Sequence, residues 1–180
     1  MGADPLMVAY HDDEWGVPVH GDVELFERLA LESFQAGLSW ATILHKREAF
    51  RAAFRGFDPK VVAAFDDVDH VRLMADAGIV RNRAKIAATI GNAAAFLVTA
   101  AEYGSFDRYL GSLVPPPPAR LPATASAGDI PATTPVADAL SADLRRRGFR
   151  FVGPTIVYAL MQSIGLVDDH LPGCFRYVGT

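Results

Sequence analysis

Aromatic, acidic and histidine side chains crowd into two short stretches near the start of this 180-residue chain. The residues concerned are Tyr10, His11, Trp15, Glu32 and Trp40. The rigid, electron-rich rings of the tyrosine and the two tryptophans suit stacking on a flipped-out nucleobase. The carboxylate of Glu32 only accepts hydrogen bonds, and it stands among apolar neighbours, which is unfavourable unless it gains a partner. The pattern indicates a binding pocket rather than core packing alone.

A second group of reactive side chains lies near the C-terminus. His170 and Cys174 are four residues apart, and His11 could close against them from the N-terminal end. Imidazole nitrogen and thiolate sulfur are the ligands that zinc prefers in proteins. Because Cys174 is the only cysteine, it cannot form an intramolecular disulfide, and a disulfide-stapled fold is excluded.

The elements that must position these residues are helical. Apolar residues recur at intervals of three and four along most of the chain, which predicts amphipathic helices, and no stretch alternates as a strand would. Asp58 before Pro59 and Thr134 before Pro135 are typical helix starts. The sequence therefore predicts an all-α fold of about seven or eight helices, in one domain spanning residues 1–180.

One segment, residues 114–135, differs from the rest. It opens with four successive prolines and continues in Ala, Thr, Ser, Gly and Pro, so that it cannot extend a helix. We expect a long loop between two helical parts, and we interpret it as a linker rather than a functional lid.

Charge and hydropathy restrict the class of protein. The net charge of −4 argues against coating nucleic acid by bulk electrostatics. Two clusters of basic residues allow either a local basic face or two solvated helix ends: Arg81, Arg83 and Lys85, and Arg145, Arg146, Arg147 and Arg150. The apolar runs are interrupted by charge, Gly or Pro before the roughly 18 residues that a membrane span needs, and the N-terminus lacks the pattern of a signal peptide. We expect a cytoplasmic protein without a membrane anchor.

A helix, a glycine-containing turn and a second helix follow one another between Val136 and Ile164. Backbone amides near Val152 and Gly153 would lie at the start of the second helix, where they can bind a phosphate oxygen with help from the helix dipole and Arg150. The alternative is an ordinary turn between two helices of a bundle. The Val167-Asp168-Asp169-His170 segment that follows resembles the Val-Asp-x-His signature of helix-hairpin-helix base-excision glycosylases and favours DNA binding.

Several motifs in the same order resemble the bacterial 3-methyladenine DNA glycosylase I family over almost the whole chain. They are Tyr-His-Asp-x-Glu-Trp-Gly-Val-Pro from Tyr10, Gln-Ala-Gly-Leu-Ser-Trp at 35–40, Asp-Ala-Gly-Ile at 76–79 with Arg81 and Lys85, Phe-Val-Gly at 151–153, and Asp169-His170 with Cys174. The resemblance implies a helix-hairpin-helix fold, a structural zinc and a monofunctional enzyme that releases 3-methyladenine from double-stranded alkylated DNA.

The resemblance also implies roles for individual residues. Glu32 matches the carboxylate that hydrogen-bonds the damaged base, Tyr10 a pocket tyrosine and Trp40 the stacking tryptophan, and Trp15 adds a further base-binding aromatic. Met7 stands where a second pocket aromatic is often found, so base stacking is expected to be weaker. We predict that Leu38, in the turn after Gly37, fills the gap left by the flipped base.

Two positions depart from the family. Its fourth zinc ligand is a cysteine upstream of the Tyr-His motif, which this sequence does not contain; either the sequence begins downstream of it, or water or an acid completes the site, or zinc is weak or absent. Asp168 stands where the family usually has asparagine. Its carboxylate is either catalytic, stabilising developing positive charge on the sugar, or structural, capping a helix or pairing with an arginine.

Two other functions remain open at this point. A non-catalytic binder of alkylated DNA would keep the pocket without turnover, and a helical metal-dependent hydrolase would be centred on His11, His170 and Cys174. We favour the glycosylase and expect it to be a monomer. No lysine lies between Arg150 and Tyr158, where related bifunctional enzymes carry a Schiff-base lysine, so strand cleavage is not expected.

Overall fold

The computed structural model describes residues 4–116 and 118–178, and these residues form a helical protein. Its α-helices are α1 Pro5–Asp13, α2 Asp22–Gln35, α3 Trp40–His45, α4 Arg47–Ala53, α5 Pro59–Val62, α6 Asp67–Ala75, α7 Arg83–Tyr103, α8 Phe106–Leu113, α9 Pro135–Arg146 and α10 Pro154–Ser163. Two-residue strands, β1 Ala119–Arg120 and β2 Val167–Asp168, pair in parallel. The predicted all-α class is confirmed. The described residues contain ten helices rather than seven or eight because short helices such as α3 and α5 were not separated in the sequence.

Helix α2 lies at the centre of the molecule. Every residue from Leu29 to Phe34 is buried, and the helix packs against α3, α7, α8 and α10. Phenylalanine rings from α2, α4 and α7 pack against one another in this core, for example Phe34 against Phe50 at a centroid distance of 4.6 Å and an interplanar angle of 53°. Only the start of α2 is exposed, at Val23 and Glu24, so polar side chains in its second half lie in the protein interior.

Helix α7 corrects the expectation that every apolar run is interrupted before it reaches the length of a membrane span. It runs unbroken for 21 residues through Gly91 and has a mean hydropathy of 1.4 over an 18-residue window, so by length and composition it could cross a membrane. Its buried face, which includes Ile86 and Phe96, packs against α2, α5 and α8 in the core. Its apolar character is therefore accounted for by core packing.

The predicted helix starts at Asp58 and Thr134 are confirmed, because each side chain accepts a hydrogen bond from an amide of the first turn. The loop over 114–135 does contain regular structure. Its β1 strand pairs Ala119 with Val167 and Arg120 with Asp168, which fastens the loop to the segment after α10.

Candidate active site

A cleft of about 290 Å³ opens between α1, α2, α3 and α10. Its walls are formed by Met7, Tyr10, His11, Trp15, Glu32, Gln35, Trp40, Ala159 and Gln162. The four residues predicted to bind a base, Tyr10, Trp15, Glu32 and Trp40, are therefore brought together from three separate helices and the turn after α1. A cleft of this size, mostly apolar with few polar groups, is typical of a small-molecule site.

Glu32 is the buried charge of the cleft. The residue is only 4 % exposed, and no described residue donates a hydrogen bond to its Oε2 atom. Burial raises the pKa of this carboxyl from its ordinary value of 4.5 to about 8, although the nearby Arg28 opposes the shift. A carboxylate without a protein donor at this depth is an unused acceptor, and a ligand that brings a donor or a positive charge would satisfy it.

Tyr10 and Trp40 form an aromatic wall next to Glu32. Their ring centroids are 5.0 Å apart with a 45° angle between the planes, and the indole Nε1 of Trp40 is buried without an acceptor among the described residues. Burial and the neighbouring Glu32 raise the pKa of the Tyr10 hydroxyl, which therefore stays protonated. The wall can stack on a planar ligand and attract a cation through the ring faces.

Arg28, which sequence reasoning did not single out, packs its guanidinium over the Tyr10 ring of this wall. Its guanidinium carbon lies 5.5 Å from the Tyr10 ring centroid, and Nη2 donates to Glu14 at 2.8 Å. Arg47 also binds Glu14, through both terminal nitrogens at 2.6 and 2.8 Å. Such a pair of arginines on one carboxylate joins α1, α2 and α4 beneath the cleft. In the sequence, this ion-pair cluster was indicated only by the presence of Glu14 in the Glu-Trp-Gly motif.

Local hydrogen bonds set the turn between α2 and α3. Gly37 has a φ of +79°, a conformation that favours glycine, and the Ser39 side chain caps the first turn of α3, which begins at Trp40. Lys85 is buried, and its Nζ donates to the carbonyls of Phe34 at 2.8 Å and Ala36 at 2.6 Å. These contacts present Leu38 at the surface, 41 % exposed, where it lines a second depression that shares Glu32, Gln35 and Ala159 with the cleft.

The α9–α10 turn is held from inside by three side chains. Ser33 donates to the carbonyl of Phe151, Ser141 to that of Val152, and Asn92 both donates to the carbonyl and accepts from the amide of Arg150. With these carbonyls bound inward, the N-cap residue of α10 is Gly153, which provides no side-chain hydrogen bond to the first turn. The geometry leaves the first turn of α10 open to an anion.

His11, His170 and Cys174 come together as expected. One potential ligand atom from each lies within 4.8 Å of the others, and the Sγ of Cys174 is 3.5 Å from Nε2 of His11. Nε2 of His170 is buried and has no partner among the described residues. The cluster lies behind Trp15, whose ring meets that of His170 edge-on at 4.7 Å. The cluster joins α1 to the C-terminal segment, and of its three residues His11 also lines the cleft.

Asp168 is not brought into the cleft. Its Oδ1 is 2.7 Å from Nδ1 of His170, its Oδ2 is 3.4 Å from Nε of Arg120, and it lines another depression with these two residues. The arrangement matches the structural alternative, pairing with an arginine, and it also orients His170. The catalytic role at the sugar stays a prediction.

The prediction that the clustered basic residues form a local basic face also requires correction. Arg81, Arg83, Arg145 and Arg150 are exposed, as a basic face requires, but Lys85 is buried. Arg147 binds Asp143 and Glu102 and stacks on two tyrosines, so its charge is already compensated. Sequence spacing alone could not separate these arginines and lysines, because their partners lie on other helices.

Comparison with known proteins identifies relatives of this chain in sequence and in structure. A profile of the family described as Methyladenine glycosylase matches residues 1–177. DNA-3-methyladenine glycosylase 1 of Escherichia coli K12 is 51 % identical over 98 % of this chain and 94 % of its own length. A crystal structure of 3-methyladenine DNA glycosylase I superposes with a TM-score of 0.94 at 48 % identity, covering 98 % of this chain and 97 % of the other. A tyrosine-to-phenylalanine variant of 3-methyladenine DNA glycosylase I in complex with 3-methyladenine gives a TM-score of 0.93 at 39 % identity, over 99 % and 96 % of the two chains.

Proposed function

This chain belongs to the methyladenine glycosylase family, and we propose that it releases 3-methyladenine from alkylated DNA by hydrolysing the N-glycosidic bond. The observation that carries the proposal is the buried Glu32 carboxylate, without a protein donor at Oε2, beside the aromatic wall of Tyr10 and Trp40. A solved relative in complex with 3-methyladenine supports the choice of base.

Recognition of the charged base provides most of the catalysis in this proposal. Methylation at N3 makes adenine cationic, so the base is a good leaving group and needs little general-acid help. The cation gains about 0.5–2 kcal/mol over an aromatic face, and the ionised Glu32 complements its charge while accepting from the exocyclic amine. Unmodified adenine lacks these charge terms.

The chemical step follows from this binding. The bond between the sugar C1′ and the base nitrogen breaks with its electron pair going to the base, which leaves as neutral 3-methyladenine. A water molecule adds to C1′ and loses a proton, leaving an abasic site in an unbroken strand. The region between Arg150 and Tyr158 contains no lysine that would form a Schiff base.

The DNA-binding surface is a further part of the proposal. In this proposal Leu38, which is 41 % exposed, fills the gap left by the flipped base. The amides of Val152 and Gly153, with the exposed Arg150, bind a backbone phosphate as a helix-hairpin-helix motif. Contacts through amides suit a chain whose net charge is −4. We expect a monomer that acts on duplex DNA in the cytoplasm.

Zinc at His11, His170 and Cys174 is proposed as a structural ion. The donor set suits it, since two imidazoles and a thiol are ordinary zinc ligands, and the partnerless Nε2 of His170 would gain a bond. Asp168 on Nδ1 of the same ring resembles the carboxylate that orients metal-bound histidines in many sites. Bound there, zinc would tie α1 to the C-terminal segment.

We expect this zinc to be weakly held, because the described residues supply three protein ligands where structural sites usually have four. Metal analysis of the purified chain should find less than one zinc per molecule after dialysis against a chelator. Thermal unfolding with and without added zinc would show whether the ion stabilises the fold. One tightly held zinc per chain that survives the chelator would contradict this expectation.

Free base binding tests the proposed pocket directly. The chain has two tryptophans, Trp15 and Trp40, and both line the cleft, so intrinsic tryptophan fluorescence reports on its contents. Titration with 3-methyladenine should change this fluorescence with saturation; because the released base is neutral, the response reports on stacking and hydrogen bonding in the cleft rather than on charge. No change in fluorescence, or a change without saturation, would contradict recognition in this cleft.

A further inference from the structure

Gln162 lies in the wall of the cleft, together with Glu32 and Trp40, at the end of α10. Sequence reasoning did not assign it a role. Its side chain is fixed, because Nε2 donates to Oδ2 of Asp169 at 2.7 Å. Asp169 is itself buried, with 5 % of its surface exposed. The orientation of an amide in the cleft is thus determined by a carboxylate behind it.

Asp169 determines which atom of the Gln162 amide remains available. The same Oδ2 accepts a hydrogen bond from the Tyr158 hydroxyl at 2.7 Å. Burial and this hydrogen bond raise the pKa of Tyr158, so its hydroxyl remains a donor. A carboxylate that receives two donors can only accept, and the Gln162 NH₂ group must therefore face it. The carbonyl Oε1 is left, and no described residue donates to it.

We propose that Gln162 is a specificity residue whose Oε1 accepts a hydrogen bond from the exocyclic amine of the flipped base, so that alkylated adenine is favoured over alkylated guanine. This inference rests on the proposed function. Adenine carries an NH₂ donor at C6, where guanine carries a carbonyl oxygen. Glu32 and Gln162 both present acceptors to the cleft, so a guanine oxygen directed at them would leave buried acceptors unpaired. Sites built around such hydrogen bonds reject analogues that lack the matching donor.

Duplex DNA treated with a methylating agent contains both 3-methyladenine and 3-methylguanine, and release of each base under enzyme excess measures the preference. Gln162→Met keeps the length of the side chain and removes the acceptor. We expect the ratio of 3-methyladenine to 3-methylguanine release rates to fall at least fivefold. Ser163→Ala, at the neighbouring buried position whose hydroxyl donates to the Leu160 carbonyl, is the matched control and should keep the wild-type ratio.

Asp169→Leu tests the positioning role without changing Gln162. Leucine has a similar volume and removes the acceptor that Nε2 of Gln162 shares with the Tyr158 hydroxyl, so the amide is no longer held with Oε1 toward the cleft. The release ratio should again fall, by at least twofold, an effect that simple destabilisation would not produce. Circular dichroism identifies the variants that fold, and the leucine variant carries the test if the methionine variant does not.

The outcomes distinguish a failure of the role assigned to Gln162 from a failure of the proposed glycosylase function. A reduced ratio in the folded variants supports the assignment of Gln162. A wild-type ratio in either folded variant, with 3-methyladenine still released, overturns that assignment alone. Failure of the wild-type chain to release 3-methyladenine would overturn the proposed function, and the inference with it.

Discussion

Glu32→Gln should lower the rate of 3-methyladenine excision at least tenfold while the fold stays intact. The substitution preserves the volume of a buried side chain, removes the charge that complements the cationic base and replaces one acceptor oxygen by an NH₂ donor. Single-turnover release from methylated DNA measures the effect. Glu24→Gln, the same change at an exposed position of α2 outside this cleft, is the control and should excise at the wild-type rate.

The pH dependence gives this prediction a second readout. Because the pKa of Glu32 in the free protein is about 8, kcat/KM of the wild type should rise with pH up to about pH 8, as the carboxylate ionises, and the glutamine variant should lack this rise. A variant with wild-type release rates and the wild-type pH profile would contradict the role of Glu32.

The contribution of Glu32 to the stability of the fold should decrease as pH rises, whereas the activity should increase. The folded-state pKa is raised above the ordinary value of 4.5, so the folded protein binds more protons between pH 4.5 and 8. The contribution of Glu32 to the free energy of unfolding is therefore complete below pH 4.5 and is lost as pH rises through 8. Above pH 8, chemical denaturation should find Glu32→Gln more stable than the wild type by on the order of a few kcal/mol.

Trp40→Ala is expected to have the second large effect. Loss of the ring removes one face for the cation and the packing partner of Tyr10 at 5.0 Å. A desolvated cation–π contact is worth about 2 kcal/mol, and each 1.4 kcal/mol is about tenfold in rate. Excision should therefore fall at least tenfold. Because Trp40 is only half-buried, the loss of stability should be smaller than the roughly 3–5 kcal/mol typical of a buried tryptophan.

Trp40→Phe separates stacking from folding. Phenylalanine keeps an aromatic face with weaker attraction for a cation, so its excision rate should lie between those of the wild type and Trp40→Ala. Thermal unfolding run beside the activity assay identifies losses due to unfolding. If Trp40→Ala is folded and excises 3-methyladenine at the wild-type rate, the tryptophan is part of the scaffold and does not bind the base.

The sequence was informative where function requires particular residue types. The helical class followed from apolar spacing, and Tyr10, Glu32 and Trp40 were singled out because aromatic rings around an apolar-flanked carboxylate have little use in a core. The structure places these three in one cleft. His11, His170 and Cys174 were singled out because imidazole nitrogen and thiolate sulfur are typical zinc ligands. The structure brings these three residues together as well.

Roles that depend on a distant partner were not predictable. Lys85 was grouped with surface arginines, yet it is buried and binds carbonyls about 50 residues earlier in the chain. Arg28 gave no signal of its position beneath Tyr10, and Gln162 gave none of its fixed amide. A local pattern identifies the face of a helix, whereas these contacts are set by how the helices pack.

Release of free base from alkylated duplex DNA by the purified chain tests the central claim most directly. Liquid chromatography with mass spectrometry identifies the base, and denaturing gel electrophoresis reports on the strand. We predict that 3-methyladenine is released catalytically, without added metal, and that the strand remains unbroken until the abasic site is cleaved by alkali. Binding of the alkylated DNA without any base release, or strand cleavage by the chain itself, would contradict a monofunctional 3-methyladenine glycosylase.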